Sequence, residues 1–225
     1  GPVFLPRDDQ SLPEEPLKLA LAVSGLRQFP TWDQAATGVL DFFDLKGILE
    51  ALFESLHLEH VRYEAIENSA YHPGKCAAIY AGGSLLGSFG EIHPLVKERF
   101  DFLNAPVLAA ELDVATLLGA LPARREADTV PNFPPVLEDI AVIVDEEIPA
   151  EQVLEVIRQG GGKLLTGARL FDIFRGEQIG AGKKSLAYKL TYQSPERTLG
   201  EQDSAQIRAR IFKRLDQVLG AKIRS

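Results

Sequence analysis

Leu17, Leu19, Leu21 and Val23 alternate with Lys18, Ala20 and Ala22, so 17–25 ("LKLALAVSG") is expected to form a strand running into a loop. The rhythm changes over "VLDFFDLKGILEALFESLHL". Phe43, Leu45, Ile48, Leu49, Leu52, Phe53 and Leu56 recur there at the i, i+3, i+4, i+7 spacing of an amphipathic helix that buries one face. Strand patterns return at "HVRYEAI" (60–66) and "KCAAIYAGGSLLGSFGEI" (75–92), the second broken at Gly82-Gly83 as a hairpin. "HPLVKERF" reads as a short helix with proline in its first turn, and "VLAAELDVATLLGAL" as a strand passing into a helix capped by Asp113. This half is an α/β unit on an antiparallel sheet.

The pattern lapses over "ALPARREADTVPNFPPV" (120–136), where four prolines and a charged patch mark a linker. Beyond it the order is strand (139–146), helix ("IPAEQVLEVIRQGGG"), strand (168–176), strand (184–193), helix ("LGEQDSAQIRARIFKRLDQVLG") and a closing strand ("AKIRS"). That β-α-β-β-α-β succession is the ferredoxin-like arrangement, with both helices on one face of a four-stranded antiparallel sheet. Strand alternation turns Ile140, Val142, Val144, Phe171, Ile173, Leu186, Tyr188 and Leu190 toward the helices. Ala141, Asp172, Phe174, Ala187, Lys189 and Thr191 are left on the open face. An aromatic and a lysine on an open sheet, rimmed by Arg175, Lys183, Lys184 and Arg197, can stack a base and hold phosphates. A protein- or small-molecule-interaction module without an RNA role fits the same topology, since fold does not dictate function.

Composition adjusts this picture in two ways. The formal net charge of −8 divides unevenly: residues 1–162 carry 11 Lys/Arg against 26 Asp/Glu, and residues 163–225 carry 13 against 6. An anionic partner is therefore expected at the basic C-terminal part. Arg208, Arg210, Lys213 and Arg214 on its second helix read as solvated charges on more than one face. A single cysteine, Cys76, excludes an internal disulfide framework and suits a reducing cytoplasm. The chain has no methionine and opens on "GPVFLPR", which reads as the tail of a strand, so a piece of a longer polypeptide is expected.

Two kinds of chemistry find no support. Gly180-Ala-Gly-Lys-Lys-Ser185 suggests a phosphate loop, but a P-loop needs Gly, four residues, then Gly-Lys-Ser/Thr, and neither frame supplies both glycines with the hydroxyl. The glycines serve a hairpin instead. One cysteine with His57, His60, His72 and His93 scattered along the first half does not make a metal site, and a half-buried Cys76 is expected.

Seven stretches together resemble the C-terminal part of the bacterial phenylalanyl-tRNA synthetase β subunit. They are "FFDLKG" (42–47), "HPGKCAAIY" (72–80), "LGSFGEIHP" (86–94), "FPPVLEDIAVIVD" (133–145), "LFDIFRG" (170–176), "GKKSLAYKLTYQ" (182–193) and "ERTL" (196–199). The resemblance implies an α+β chain: a truncated class II synthetase-like antiparallel core over 1–122, a linker over 123–132, and a ferredoxin-fold anticodon-binding domain over 133–225. It implies that this part has no catalytic residue, metal or cofactor of its own, because ATP, Mg²⁺ and phenylalanine bind the α subunit of an α2β2 parent. It implies tRNA-Phe as partner; the RNA-binding residues expected from the open face and its rim are Asp172, Phe174, Arg175, Lys183, Lys184, Lys189 and Arg197. The core would expose apolar surface that the α subunit covers. Leu137-Glu138 departs from the family, which usually has basic residues there, and Glu138 would weaken a phosphate contact at that edge.

Overall fold

The computed structural model of the chain describes residues 1–8, 12–35, 38–100, 102, 105–124 and 130–224. They fall into two compact units, 1–126 and 127–225. Half of the linker expected at 123–132, residues 125–129, lies outside the described set.

The first unit runs β1 (Lys18–Ser24), α1 (Phe42–Ser55), β2 (Arg62–Ala65), β3 (Tyr71–Ala81), β4 (Ser84–Ile92), α2 (Pro94–Arg99), β5 (Val107–Asp113) and α3 (Val114–Ala120). Its antiparallel sheet has the order β1-β5-β4-β3-β2. Gly82 and Gly83, at φ 57° and 85°, form the two-residue β3–β4 turn that Ala81 and Ser84 close. "GPVFLPR" pairs back on the chain in strand-like fashion, with isolated antiparallel bridges at Pro2/Leu17 and Leu5/Glu14.

Helix α1 starts where Asp41 accepts hydrogen bonds from the Phe43 and Asp44 amides, while Asp44 accepts one from the Asp41 amide. Arg27 grips Asp44 with two nitrogens and reaches Asp41 with one, which holds the Asp44 carboxyl below the usual carboxylate range. The helix buries Leu45, Leu49 and Phe53 against Ile79, Leu86, Phe89, Leu108 and Leu112. The apolar stripe is wider than the buried face. Phe43 is 73% exposed and Ile48 41%, whereas Phe42 turns inward to stack on Phe89 at 4.7 Å. Other apolar side chains of this unit also stand out, Phe4 among them and Trp32, Phe29 and Leu12 most of all. Asp113 caps α3 through the Thr116 amide, as its position requires. Cys76 is buried rather than half-buried, and burial pushes its thiol pKa up.

The second unit runs β6 (Val136–Asp145), α4 (Ala150–Gly161), β7 (Leu165–Phe174), β8 (Lys183–Tyr192), α5 (Glu201–Leu219) and β9 (Lys222–Arg224). The sheet order β7-β8-β6-β9, all antiparallel, is that of the ferredoxin-like fold. Val153, Val156 and Ile157 of α4 and Ile207, Ile211 and Leu215 of α5 pack on Ile140, Val142, Val144, Leu186, Tyr188, Leu190 and Tyr192. Two tyrosines in that layer spend their hydroxyls on named partners, as buried polar groups must. Tyr188 donates to the Ala150 carbonyl at 2.8 Å, and Tyr192 to Glu138 at 3.1 Å. Both helices lie on one side, so the other face of the sheet has no helix of this unit over it.

The expected inward row on β7 is only partly realised. Leu170 stands opposite Tyr188 and Asp172 opposite Ala187, so Phe171 is the extra residue of a bulge. Its ring is 55% exposed and lies beside Lys189 on the open face, with Nζ 5.9 Å from the ring centre. Ile173, opposite the buried Leu186, keeps its inward sense yet is exposed near the end of this edge strand.

A candidate nucleic-acid interface on the open sheet face

Register places four rows across the open face. Gly167, Thr191 and Leu137 form the first; Arg169, Lys189 and Asp139 the second. Asp172, Ala187, Ala141 and Arg224 form the third, and Phe174, Ser185, Ile143 and Lys222 the fourth. The middle is floored by small side chains, and its apolar rings stand at one edge. Arg169 and Lys189 are direct cross-strand neighbours, both exposed, and neither has an ion-pair partner among the described residues. Like charges placed opposite each other oppose folding, so an anion arriving between them relieves that cost. Phe171 meets Lys189, and Phe174 meets Arg224, whose guanidinium carbon stands 4.9 Å from the ring centre. Behind the Phe174 ring is Gly176, where a Cβ would come within 2.8 Å of Cζ.

The rim differs from expectation. Arg175 donates three hydrogen bonds to the Glu146 carboxylate, which raises its own pKa and lowers that of Glu146. Arg197 forms a bidentate pair with Asp203, 2.7 Å at each nitrogen, and Asp203, which also accepts from the Gly200 amide, is held well below its usual range. Lys183 pairs with Asp145. These three cations reach a phosphate only by exchanging a carboxylate. Lys184 is not free at the hairpin tip. It stands opposite the buried Val144, so its side chain is on the helix side, 9% exposed, with Nζ donating to the Glu146 carbonyl at 2.7 Å. Glu138 likewise lies off the open face: it accepts from Tyr192 and pairs with Arg208 of α5, so its acidity weakens no contact on this surface. Arg208 is thus a structural ion pair rather than a solvated charge, and Arg214 donates to Gln159 of α4.

No three of His, Cys, Asp or Glu converge to hold a metal ion among the described residues. No described helix is long and apolar enough to cross a membrane.

Residues 131–224 match the family model of the ferredoxin-fold anticodon binding domain. Residues 1–114, half of the chain, match that of the phenylalanyl tRNA synthetase beta chain CLM domain. The chain belongs to the phenylalanyl-tRNA synthetase β-chain family. It is 38% identical over 223 residues to the phenylalanine–tRNA ligase β subunit of Symbiobacterium thermophilum, which covers 99% of this chain and 25% of that protein. The β subunit of Clostridium acetobutylicum is 39% identical over 188 residues, 83% of this chain and 24% of the relative. For the β subunit of Bacillus subtilis the identity is 36% over 225 residues, 100% of this chain and 28% of the relative. The chain thus spans about a quarter of the length of the curated β subunits it matches.

Within this β-chain family member, the open face brings together Asp172, Phe174 and Lys189 of the residues expected from sequence. It leaves Arg175, Lys183 and Arg197 in ion pairs, Arg197 with Asp203 in the first turn of α5, and takes Lys184 to the helix side. Phe171, Arg169 and Arg224 join the face without having been expected there. Arg224 was readable: in "KIR" the apolar Ile223 packs inward, so Lys222 and Arg224 must face out. Phe171 was not, because no glycine or proline announces the bulge.

Proposed function

We propose that this chain is the tRNA-holding and assembly part of a phenylalanine–tRNA ligase β subunit, and that its second unit binds the anticodon region of tRNA-Phe on the open sheet face. The observation that carries the reading is the pairing of exposed rings with cations on that face, Phe171 with Lys189 and Phe174 with Arg224. Bases stack on such rings, and the neighbouring cations meet the backbone. Phe174, Lys189 and Asp172 are the central contacts, with Arg175, Lys183 and Arg197 able to exchange their carboxylates for phosphates at the rim. Lys184 braces the hairpin instead. The division is 1–122 for the synthetase-like core, 123–132 for the linker and 133–225 for the tRNA-binding domain. The exposed Phe4, Phe29, Trp32 and Phe43 of the core form the kind of surface that a subunit covers, and the catalytic α subunit is the partner it fits. ATP-dependent esterification, with its Mg²⁺, belongs to the cytoplasmic parent assembly, to which this chain contributes binding geometry.

Filter binding of the whole chain to tRNA-Phe and to an unrelated tRNA, across a range of salt, tests the reading. Preference for tRNA-Phe that persists as salt rises is expected, since phosphate contacts fade with salt while base contacts discriminate. Equal affinity for both RNAs at every salt concentration removes specific recognition.

A further inference from the structure

Two consecutive acids hold two cations at the end of the second unit's sheet where the β7–β8 hairpin closes. Asp145, the last residue of β6, pairs with Lys183, and Glu146 pairs with Arg175. The Glu146 carboxylate meets Arg175 at Nε and Nη2, 3.1 and 2.7 Å from Oε1. The main chain that carries this carboxylate is fastened to the hairpin twice. The Glu146 amide donates to the Gly182 carbonyl at 2.8 Å, and the Glu146 carbonyl accepts from Lys184 Nζ at 2.7 Å. Lys184 is buried on the helix side, so an inward lysine fixes the acid that neutralises a neighbouring arginine. Arg175, Glu146 and Lys183 border an open hollow of about 550 Å³, room enough for a backbone phosphate. Arg169 and Lys189, in the middle of the open face, have no ion-pair partner among the described residues. Cations at the hairpin end are masked, and cations on the face are bare.

We propose that Asp145 and Glu146 are specificity residues, built-in competitors for RNA phosphate that suppress sequence-independent binding at the hairpin end. The inference rests on the RNA-binding reading of this unit and adds two acids that the reading did not use. A phosphate reaches Arg175 or Lys183 only by displacing a carboxylate, so part of the charge attraction it gains is lost with the pair it breaks. RNA held by its phosphates alone bears that loss with nothing to offset it, because such contacts carry all of its affinity. Base contacts on the open face are untouched by it. Exposed ion pairs are weak, so the suppression is several-fold for each pair. Lys184 is the positioning residue of this device, since it holds the Glu146 backbone without meeting RNA.

Binding of the whole chain to an unrelated tRNA across a range of salt tests the competitors, with Glu146→Gln, Asp145→Asn, Glu177→Gln, Arg175→Gln and Glu146→Gln/Arg175→Gln. At ~0.1 M salt, Glu146→Gln and Asp145→Asn are each expected to tighten binding about fivefold, with a salt slope steeper by about 0.7, the increment of one added phosphate contact. Glu177 is exposed, lines the same hollow and has no ion-pair partner among the described residues. Glu177→Gln therefore removes the same charge without freeing a cation, and less than about a twofold gain is expected where charges are screened beyond ~10 Å. The gain of Glu146→Gln should vanish in the Arg175→Gln background. Loss of fold weakens binding, so it does not mimic the expected gain. An equal gain in Glu177→Gln, or one that survives without Arg175, would identify a general loss of negative charge and overturn the proposal. Unchanged affinity and slope in both acid variants also overturn it. A wild-type preference for tRNA-Phe over the unrelated tRNA leaves the RNA-binding reading standing in either case. Failure of the wild-type chain and both acid variants to bind any tRNA removes both.

Discussion

Tyr188→Ala is expected to destabilise the second unit by about 3–5 kcal/mol, the range for truncating a large buried aromatic. Tyr188 is fully buried at the centre of the layer between sheet and helices, among Ile140, Val153, Ile157, Leu190 and Ile211. The cost has two parts that a second variant separates. Tyr188→Phe keeps the ring and removes only the hydroxyl that donates to the Ala150 carbonyl, so about 1 kcal/mol is expected. Since Ala150 opens α4, that hydrogen bond also ties the start of the helix to the sheet. Burial raises the Tyr188 phenol well above its ordinary pKa, so this donor stays protonated through the neutral range. Urea denaturation of the whole chain, followed through a probe in the second unit, measures both. A Tyr188→Ala loss below about 1 kcal/mol would contradict the packing described, because no cavity would then have opened.

Phe174→Ala carries the largest expected effect on binding, a loss of about 10- to 100-fold in affinity for tRNA-Phe, the equivalent of roughly 1–3 kcal/mol for one base–aromatic stack. Stability should hardly change, because the ring is 36% exposed and lies outside the buried core. This separation of binding from stability distinguishes a contact residue from a structural one. Phe174→Tyr should retain affinity, since the stacking surface is kept. If Phe174→Ala binds as the parent does, the base platform lies elsewhere.

Sequence alternation was enough to read both units' element order, the Gly82-Gly83 hairpin and the ferredoxin-like topology, because periodicity and turn residues act locally. It failed where a distant residue decides. Phe43 and Ile48 satisfy the helical stripe of α1, yet the sheet beneath covers only the Leu45–Leu49–Phe53 line. The partners Glu146 for Arg175 and Asp145 for Lys183 come from the end of β6, far away in the chain, so these lysine and arginine residues look free until the strands are paired. Lys184 is a different case: the alternation that buries Leu186, Tyr188 and Leu190 carries it inward as well. Reading it as part of a phosphate-like loop hides that parity. Gly180-Ala-Gly-Lys-Lys-Ser185 is a hairpin whose two lysines are held by Asp145 and the Glu146 carbonyl.

If RNA meets the open sheet face of the second unit, its binding perturbs that face and leaves the helix side unchanged. Amide chemical-shift mapping of the whole chain with an anticodon stem-loop of tRNA-Phe tests it most directly. Shifts are expected at Ala141, Phe171, Asp172, Phe174, Ala187, Lys189 and Arg224, with α4 and α5 unmoved. Shifts gathered at Arg210 and Lys213 of α5, with the sheet residues unchanged, would contradict it.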